Sequence, residues 1–217
     1  MIDFSEAALA ALRVAMEQTL SPARYAHTLG VERAAARAAK IYCPDRVPLM
    51  RAAALLHDCT KEYGDEETAA VLAREGIVLR PDERAAPKIL HAITAPPEIV
   101  RLHPAQADPV LLSAVRWHTT GRAGMTLCDA LLYLADAIEE GRTYPSCVAL
   151  RERFWGADPA RMSAPERERH LADALLPFLT DERDRLTAKN APVCLDTLAA
   201  IEDLNTLLKG QIHGRLF

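Results

Sequence analysis

A histidine–aspartate pair, His57 and Asp58, ends the apolar stretch AAALLHDCTKEY, whose pattern otherwise predicts the buried face of a helix. Lys61 follows His57 by one helical turn and therefore falls on the same face. An unpaired carboxylate or ammonium is costly to bury, because the charge loses its hydration. The sequence thus predicts that these groups are paired with one another or bound to a metal ion.

Further imidazoles and carboxylates occur on separate segments, most of them continuing an apolar helical stripe. Taken singly, such a histidine is more often a hydrogen-bonded core residue than a ligand. Taken together, mixed nitrogen and oxygen donors suit iron, manganese, cobalt or zinc better than calcium. The candidate metal ligands are His27, His57, Asp58, His91, His118 and Asp136.

Other potential ligands have ordinary structural explanations. His103 lies in a proline-bounded stretch, His170 in a charged run and His213 in the C-terminal tail. The five cysteines are scattered and contain no Cys-x-x-Cys pair, which argues against a disulfide framework or a cysteine zinc site. Cys59 is interpreted as a small buried thiol rather than a ligand.

Alanine, leucine, glutamate and arginine dominate nearly every segment, and alternating strand patterns are almost absent, so we expect an all-α fold. Ser21 and Pro22 predict a helix start, with the helix running to about Tyr42. Pro48 opens the helix that carries His57, and Gly64 is expected to close it. Three further helices are predicted to cover residues 64–76, 163–186 and 194–210. Three others are predicted to start at Pro87, Pro109 and Thr126.

Charge and hydropathy limit the partners. A net charge of -4 gives no global basic field, so we expect no long nucleic acid as a partner, although local cations could hold a small anion. No apolar stretch approaches the roughly 20 residues of a membrane span. The N-terminus lacks a basic region followed by a cleavage site. We therefore expect a cytoplasmic protein without a membrane partner.

The motifs around the candidate ligands resemble those of the bacterial symmetrical diadenosine-tetraphosphate hydrolases of the HD superfamily. The strings are ARYAHTLGVERAAARAA, AALLHDCTKEY and AVRWHTTGRAGMTLCDALLYLADAIEEGR, of which HTTGR and LADxIExxR are the most specific. This chain differs from the family pattern at two places. The family usually has glycines after its third motif histidine, where this chain reads HAITAPPEIV, and often a proline at the position of Glu140.

The resemblance implies an HD-domain helical bundle at residues 1–188, with core motifs at about 20–145 and an appended C-terminal helical extension at 189–217. It implies a bis(5'-nucleosyl)-tetraphosphatase (symmetrical), an acid-anhydride hydrolase. Metal-bound hydroxide would attack an inner phosphorus of diadenosine tetraphosphate and release two ADP. The expected partner is thus a small dinucleoside polyphosphate; a homodimer stays open.

The resemblance also implies two transition-metal ions, with iron as the leading candidate and manganese, cobalt or zinc as alternatives. In this hypothesis the first ion is bound by His27, His57, Asp58 and Asp136. Asp58 bridges to the second ion, where His91 and His118 complete the protein ligands. Water bound by two cations is acidic enough to supply hydroxide near neutral pH.

The substrate's negative charges require cations beyond the metals. Lys61 is expected to contact a phosphoryl oxygen or the leaving group, and Asp58 and Lys61 are the predicted catalytic residues. The alternative for Lys61 is a surface lysine whose ammonium reaches solvent. Arg24 and Glu139 could instead orient a ligand or belong to a salt-bridged helix face. The predicted substrate contacts are Arg24, Lys61, Thr119, Thr120, Gly121, Arg122, Glu139 and Arg142.

Two other functions stay open at this point. One is an HD phosphohydrolase that acts on another nucleotide, such as a mononucleotide or a deoxynucleoside triphosphate. The other is a non-catalytic metal or nucleotide sensor. The intact ligand set together with Lys61 argues against the sensor, since a decayed site is expected to lose at least one member.

Overall fold

The computed structural model describes residues 1–210 and 217, and in this part of the chain every regular element is a helix. The all-α prediction is therefore confirmed. His213 and its neighbours at 211–216 lie outside the described residues. The helices are α1 (Glu6–Thr19), α2 (Pro22–Tyr42), α3 (Val47–Leu56), α4 (Asp65–Arg74), α5 (Pro81–Ala85), α6 (Leu90–Leu102), α7 (Pro109–Trp117), α8 (Leu127–Ile138), α9 (Pro145–Gly156), α10 (Ala164–Ala188) and α11 (Leu195–Leu208).

The predicted helix starts follow the capping chemistry of the sequence. The Ser21 side chain accepts a hydrogen bond from the backbone N–H of Arg24 at the start of α2. Thr126 and Asp129 form the predicted capping box ahead of α8. The side-chain oxygen of Asp108 accepts from two backbone N–H groups at the start of α7. Local signals thus fix where these helices begin.

The structure corrects the predicted end of α3, and three helices have no counterpart among the predicted segments. α3 ends at Leu56 rather than at Gly64. The following residues form tight turns, in which the N–H of Lys61 donates to the carbonyl oxygen of Asp58 at 2.9 Å. The helices α1, α5 and α9 were not predicted individually, and α5 spans only five residues.

α3 forms the centre of the core. The side chains from Ala52 to Leu56 are fully buried, and α3 packs against α1, α2, α7 and α8. The alanines let neighbouring helices approach closely, and they bring the residues that follow α3 into the interior. No helix in the described residues combines the length and apolarity needed to cross a membrane.

α11 packs against α10 and shares the main hydrophobic core through Ala200, Ile201 and Leu204. It also contacts the loop that follows α7, where the Thr197 hydroxyl donates to the carbonyl oxygen of Thr120 at 3.0 Å. Within residues 189–210, the helix α11 thus packs on the bundle.

Candidate metal centre

His57 and His118 each follow the last residue of a helix, α3 and α7 respectively. The last turn of a helix carries carbonyl oxygens without intrahelical partners. The Nδ1 of His57 lies 2.6 Å from the Ala54 carbonyl oxygen, and the Nδ1 of His118 lies 2.7 Å from that of Val115. Each Nδ1 therefore carries the proton and donates it. Each Nε2 consequently presents a lone pair to the interior, as a metal ligand requires.

The carboxylate of Asp58 lies between two groups of imidazoles. Its Oδ2 is 3.4 Å from the Nε2 of His57 and 3.9 Å from the Nε2 of His27. Its Oδ1 is 3.2 Å from the Nε2 of His91 and 3.6 Å from the Nε2 of His118. Asp58 is only 2% exposed, so water cannot solvate this charge. One carboxylate thus turns a different oxygen to each pair of histidines.

His27 is oriented by carboxylates on both sides of its ring. Its Nδ1 lies 3.1 Å from the Oε1 of Glu139, and its Nε2 lies 3.0 Å from the Oδ1 of Asp136. Gly30 leaves room for the Glu139 carboxylate, because a Cβ at this position would lie 2.3 Å from Oε2. Glu139 therefore contacts the far nitrogen of a candidate ligand, which is the arrangement that fixes ring orientation at metal sites.

His91 lies where several polar groups meet. Its Nε2 is 3.1 Å from the Nζ of Lys61 and 3.1 Å from the Nε2 of His118. The Oγ1 of Thr119 is 3.1 Å from the Nε2 of His91 and 3.0 Å from that of His118. Lys61 and Thr119 thus line the side of the cluster formed by His91 and His118.

The donor set fits divalent cations. The Nε2 atoms of His27 and His57 are buried without a hydrogen-bond partner in the described part of the chain, which leaves two desolvated lone pairs uncompensated. The ligand atoms of His27, His57 and Asp136 lie within 4.8 Å of one another, as do those of His57, Asp58 and His118. His57 thus lies at the junction of two overlapping groups. A cation bound between these atoms would satisfy them.

The ionisation states also suit metal binding. Burial lowers the pKa of His91 well below its usual range, and burial also lowers the pKa of His118. Burial works to raise the pKa of Asp58, but the neighbouring His57 and His118 imidazoles and the charge of Lys61 hold it well below its usual range. For Asp136, the adjacent His27 imidazole and the charge of Arg142 likewise outweigh burial and hold the pKa well below its usual range. Burial therefore favours the neutral imidazoles of His91 and His118, which face the ionised carboxylate of Asp58.

Two arginines flank the cluster, each bound to a carboxylate. The Nη1 of Arg24 donates to the Oδ2 of Asp58 at 2.8 Å. The guanidinium of Arg142 donates to the side chain of Asp136 and, at 3.0 Å, to its backbone oxygen. The side chains of Arg24 and Arg142 are 28% and 29% exposed. Both cations therefore border the cluster and can still be reached from solvent.

Three predicted substrate contacts are not brought into the cluster. Arg122 is paired with Asp129, its Nη2 lying 3.0 Å from Oδ2, and this holds it at the start of α8. Thr120 is 1% exposed and its carbonyl oxygen accepts from α11. Gly121 adopts φ +65° against Ala200 of α11. A phosphate contact by these three residues stays a prediction.

Three supporting residues are not predicted from the sequence, namely Gly30, Thr60 and Thr94. Gly30 lies inside an alanine-rich helix, and an unexplained glycine there is a signal of close approach by another group. The hydroxyl of Thr60 donates to the carbonyl oxygen of His91 at 3.0 Å and lies 2.9 Å from the hydroxyl of Thr94. Thr94 stands in the segment after His91 where the resemblance predicted glycine, and it supports the backbone of that histidine.

Comparison with known proteins gives one family match and several relatives. Residues 24–141 match the model of the HD domain. A Bacillus subtilis (strain 168) relative is 33% identical over 182 residues, covering 84% of this chain and 89% of the relative. A Halalkalibacterium halodurans relative is 32% identical over 185 residues, covering 85% and 90%. Both relatives are named bis(5'-nucleosyl)-tetraphosphatase, symmetrical.

A relative from Staphylococcus aureus with the same name is 33% identical over 142 residues, covering 65% of this chain and 71% of the relative. Among solved structures, a Clostridium acetobutylicum protein superimposes with a TM-score of 0.78 at 26% identity. The match covers 91% of this chain and 97% of that protein, which is described as an HD superfamily hydrolase involved in NAD metabolism.

Proposed function

Because this chain belongs to the HD domain family of hydrolases, we propose that it is a metal-dependent enzyme that cleaves diadenosine tetraphosphate symmetrically into two ADP. The observation that carries the proposal is the buried Asp58 carboxylate, whose two oxygens face different pairs of imidazoles. The names of the curated relatives support the choice of substrate.

The proposed ligands divide between the two oxygens of Asp58. His27, His57 and Asp136 would bind one ion on the side of Oδ2, and His91 and His118 would bind the other on the side of Oδ1. Ions held there would neutralise phosphoryl oxygens and acidify water. Glu139 keeps His27 oriented, and Thr60 keeps the backbone of His91 in place.

The cations around the cluster would bind the polyphosphate. The guanidinium groups of Arg24 and Arg142 are preoriented by Asp58 and Asp136, so little rotamer freedom is lost when phosphate binds. They lie on the side of the cluster formed by those carboxylates. Each side chain is partly exposed, and its guanidinium has further N–H donors for phosphoryl oxygens.

Lys61 and Thr119 would act where the anhydride bond breaks. The Nζ of Lys61 lies 3.9 Å from the Oδ1 of Asp58, beside His91, where it can neutralise charge that develops on the departing diphosphate. The Thr119 hydroxyl lies between His91 and His118 and can donate to a phosphoryl oxygen. The departing group, ADP, then leaves as its terminal oxygen takes up charge.

Product analysis tests the proposal. The protein loaded in turn with Fe²⁺, Mn²⁺, Co²⁺ or Zn²⁺ is incubated with diadenosine tetraphosphate, and the nucleotides are separated chromatographically. We expect ADP as the single product, at two molecules per substrate consumed. Equal amounts of AMP and ATP would contradict symmetrical cleavage, and no turnover with any metal would favour a sensor.

A second substrate class has one supporting observation. The structurally similar Clostridium acetobutylicum protein is described as involved in NAD metabolism. The same assay therefore includes NAD, mononucleotides and deoxynucleoside triphosphates beside diadenosine tetraphosphate. A kcat/KM for one of these that exceeds the value for diadenosine tetraphosphate would replace the proposed substrate and leave the metal-dependent hydrolase unchanged.

A further inference from the structure

The turn of residues 139–142 that follows α8 delivers two side chains to two different candidate ligands. Glu139 contacts the Nδ1 of His27, and Arg142 contacts the carboxylate of Asp136. His27 and Asp136 in turn approach each other to 3.0 Å. A shift of this turn would therefore disturb both ligands at once.

The turn is closed by bonds within itself. The N–H of Arg142 donates to the carbonyl oxygen of Glu139 at 3.0 Å. The N–H of Gly141 donates to the Oε2 of Glu139 at 2.6 Å. These bonds set the shape of the turn, but they do not fix its position relative to the rest of the bundle.

Arg151, on α9, supplies a contact from outside the turn. Its Nη1 lies 2.7 Å from the carbonyl oxygen of Glu139 and 3.3 Å from that of Arg142. It also lies 3.4 Å from the carbonyl oxygen of Ile138, the last residue of α8. A cation at a helix C-terminus is favoured by the helix dipole and satisfies carbonyl oxygens that lack partners. One half-buried guanidinium thus binds both ends of the turn to α9.

We infer that Arg151 is a positioning residue of the metal centre, which acts by holding the 139–142 turn so that Glu139 and Arg142 reach His27 and Asp136. The inference rests on the proposed metal site and adds a residue that contacts neither metal ligand nor substrate. It does not depend on which nucleotide is cleaved.

Arg153 offers a matched control on the same helix. Its Nη2 donates to the carbonyl oxygen of Asp173 at 2.9 Å, so Arg153→Gln removes the same kind of bond away from the turn. Affinity for Mn²⁺ is measured by chelator competition, and the visible absorption of bound Co²⁺ reports ligand geometry. We expect Arg151→Gln to weaken Mn²⁺ binding about 10- to 100-fold and to change the Co²⁺ spectrum. Arg153→Gln should match the wild type.

Arg151→Lys provides the rescue, because lysine keeps the charge but reaches fewer carbonyl oxygens. Its Mn²⁺ affinity should fall between those of the wild type and Arg151→Gln, and the melting temperature of its metal-free form should match that of Arg153→Gln. If Arg151→Gln fails to fold, Arg151→Lys decides: affinity at least about threefold weaker than wild type supports the inference. If Arg151→Gln folds, a wild-type Mn²⁺ affinity in that variant overturns the inference. If it does not fold, a wild-type Mn²⁺ affinity in Arg151→Lys overturns it.

The two proposals fail in different ways. Wild-type Mn²⁺ affinity in Arg151→Gln, with ADP still formed from diadenosine tetraphosphate, overturns the role of Arg151 alone. Weakened affinity in a protein that does not cleave diadenosine tetraphosphate supports the role of Arg151 and contradicts the proposed substrate. A wild-type protein that binds none of the metals overturns both.

Discussion

His57 and His118 turn Nε2 toward the cluster in the same way, because the Nδ1–H of each ring donates a hydrogen bond to the backbone carbonyl oxygen three residues earlier. The sequence predicts both histidines as ligands, since residue type and helical stripe are local properties. It does not predict which nitrogen faces the cluster, because that depends on α3 ending at Leu56. The proton positions therefore follow from the backbone, and they leave Nε2 free on both rings.

Lys61 provides the first residue-scale prediction. Replacing Lys61 with Met removes an ammonium that lies 3.1 Å from His91 while keeping a side chain of similar length. We expect kcat/KM for diadenosine tetraphosphate to fall about 100-fold, because charge on the departing diphosphate loses its partner. Steady-state kinetics and elemental analysis check this, and metal content should be unchanged. Lys40→Met, at an exposed position, is the control. Wild-type kinetics in Lys61→Met would contradict a catalytic role for Lys61 and favour a surface lysine without one.

Gly30 provides the second residue-scale prediction. Alanine normally stabilises a helix interior by about 0.5–1 kcal/mol relative to glycine. At Gly30 the added Cβ would lie 2.3 Å from the Oε2 of Glu139, so the carboxylate must move away from His27. We expect Gly30→Ala to lower both the melting temperature and the Mn²⁺ affinity, the latter about 10-fold or more.

Gly156→Ala serves as the control, since nothing lies within 4 Å of a Cβ at that position. It should leave Mn²⁺ affinity unchanged and keep or raise the melting temperature. Equal Mn²⁺ affinities in the two alanine variants would show that Glu139 does not orient His27.

At the scale of elements, the cluster forms where α3, α7 and α8 end. His57, His118 and Glu139 are each the residue that follows the last helical position. Helix C-termini carry partial negative charge, so their convergence favours cations. The starts of α2, α7 and α8 could be predicted from proline and capping residues. The end of α3 could not, because buried turns stabilised by distant contacts replace a local stop signal.

α6, which carries His91, is held by a buried ionic contact. Glu98, 2% exposed, accepts from the Tyr63 hydroxyl at 3.0 Å and from the Nη2 of Arg101 at 2.6 Å, and it also pairs with Arg74 of α4. The hydrogen bond from Arg101, followed by those from Arg74 and Tyr63, lowers the pKa of Glu98 to about 2 against the opposing effect of burial. The ionised form is therefore the one that stabilises the fold.

Glu98→Gln tests this contact through pH. A carboxyl with a lowered folded-state pKa contributes stability above its unfolded-state pKa of about 4.3, and that contribution is lost as pH falls toward 2. We expect Glu98→Gln to lower the melting temperature by about 2–6 °C at pH 7, and the difference from wild type to shrink between pH 5 and pH 3. Glu17→Gln, at an exposed position, is the control. A difference that stays constant with pH would contradict the assignment.

At the scale of the whole molecule, composition was enough to predict an all-α bundle, and motif spacing was enough to select the residues of the cluster. The partner of α11 was not predictable, because packing between distant segments leaves no local pattern. For the same reason the contacts of Thr120 and Gly121 with α11 could not be predicted, although both residues follow a candidate ligand in sequence. The pairing of Arg122, a predicted substrate contact, with Asp129 of the next helix is a further contact that local patterns do not show.

The metal content of the purified protein tests the central claim most directly. Elemental analysis of wild-type protein, prepared without added metal, should find about two first-row transition-metal ions per chain, as two proposed sites require. Asp58→Ala removes the carboxylate that faces both pairs of imidazoles, so its metal content should fall to near zero. Wild-type protein without metal, or full metal content in Asp58→Ala, would contradict a centre built around Asp58.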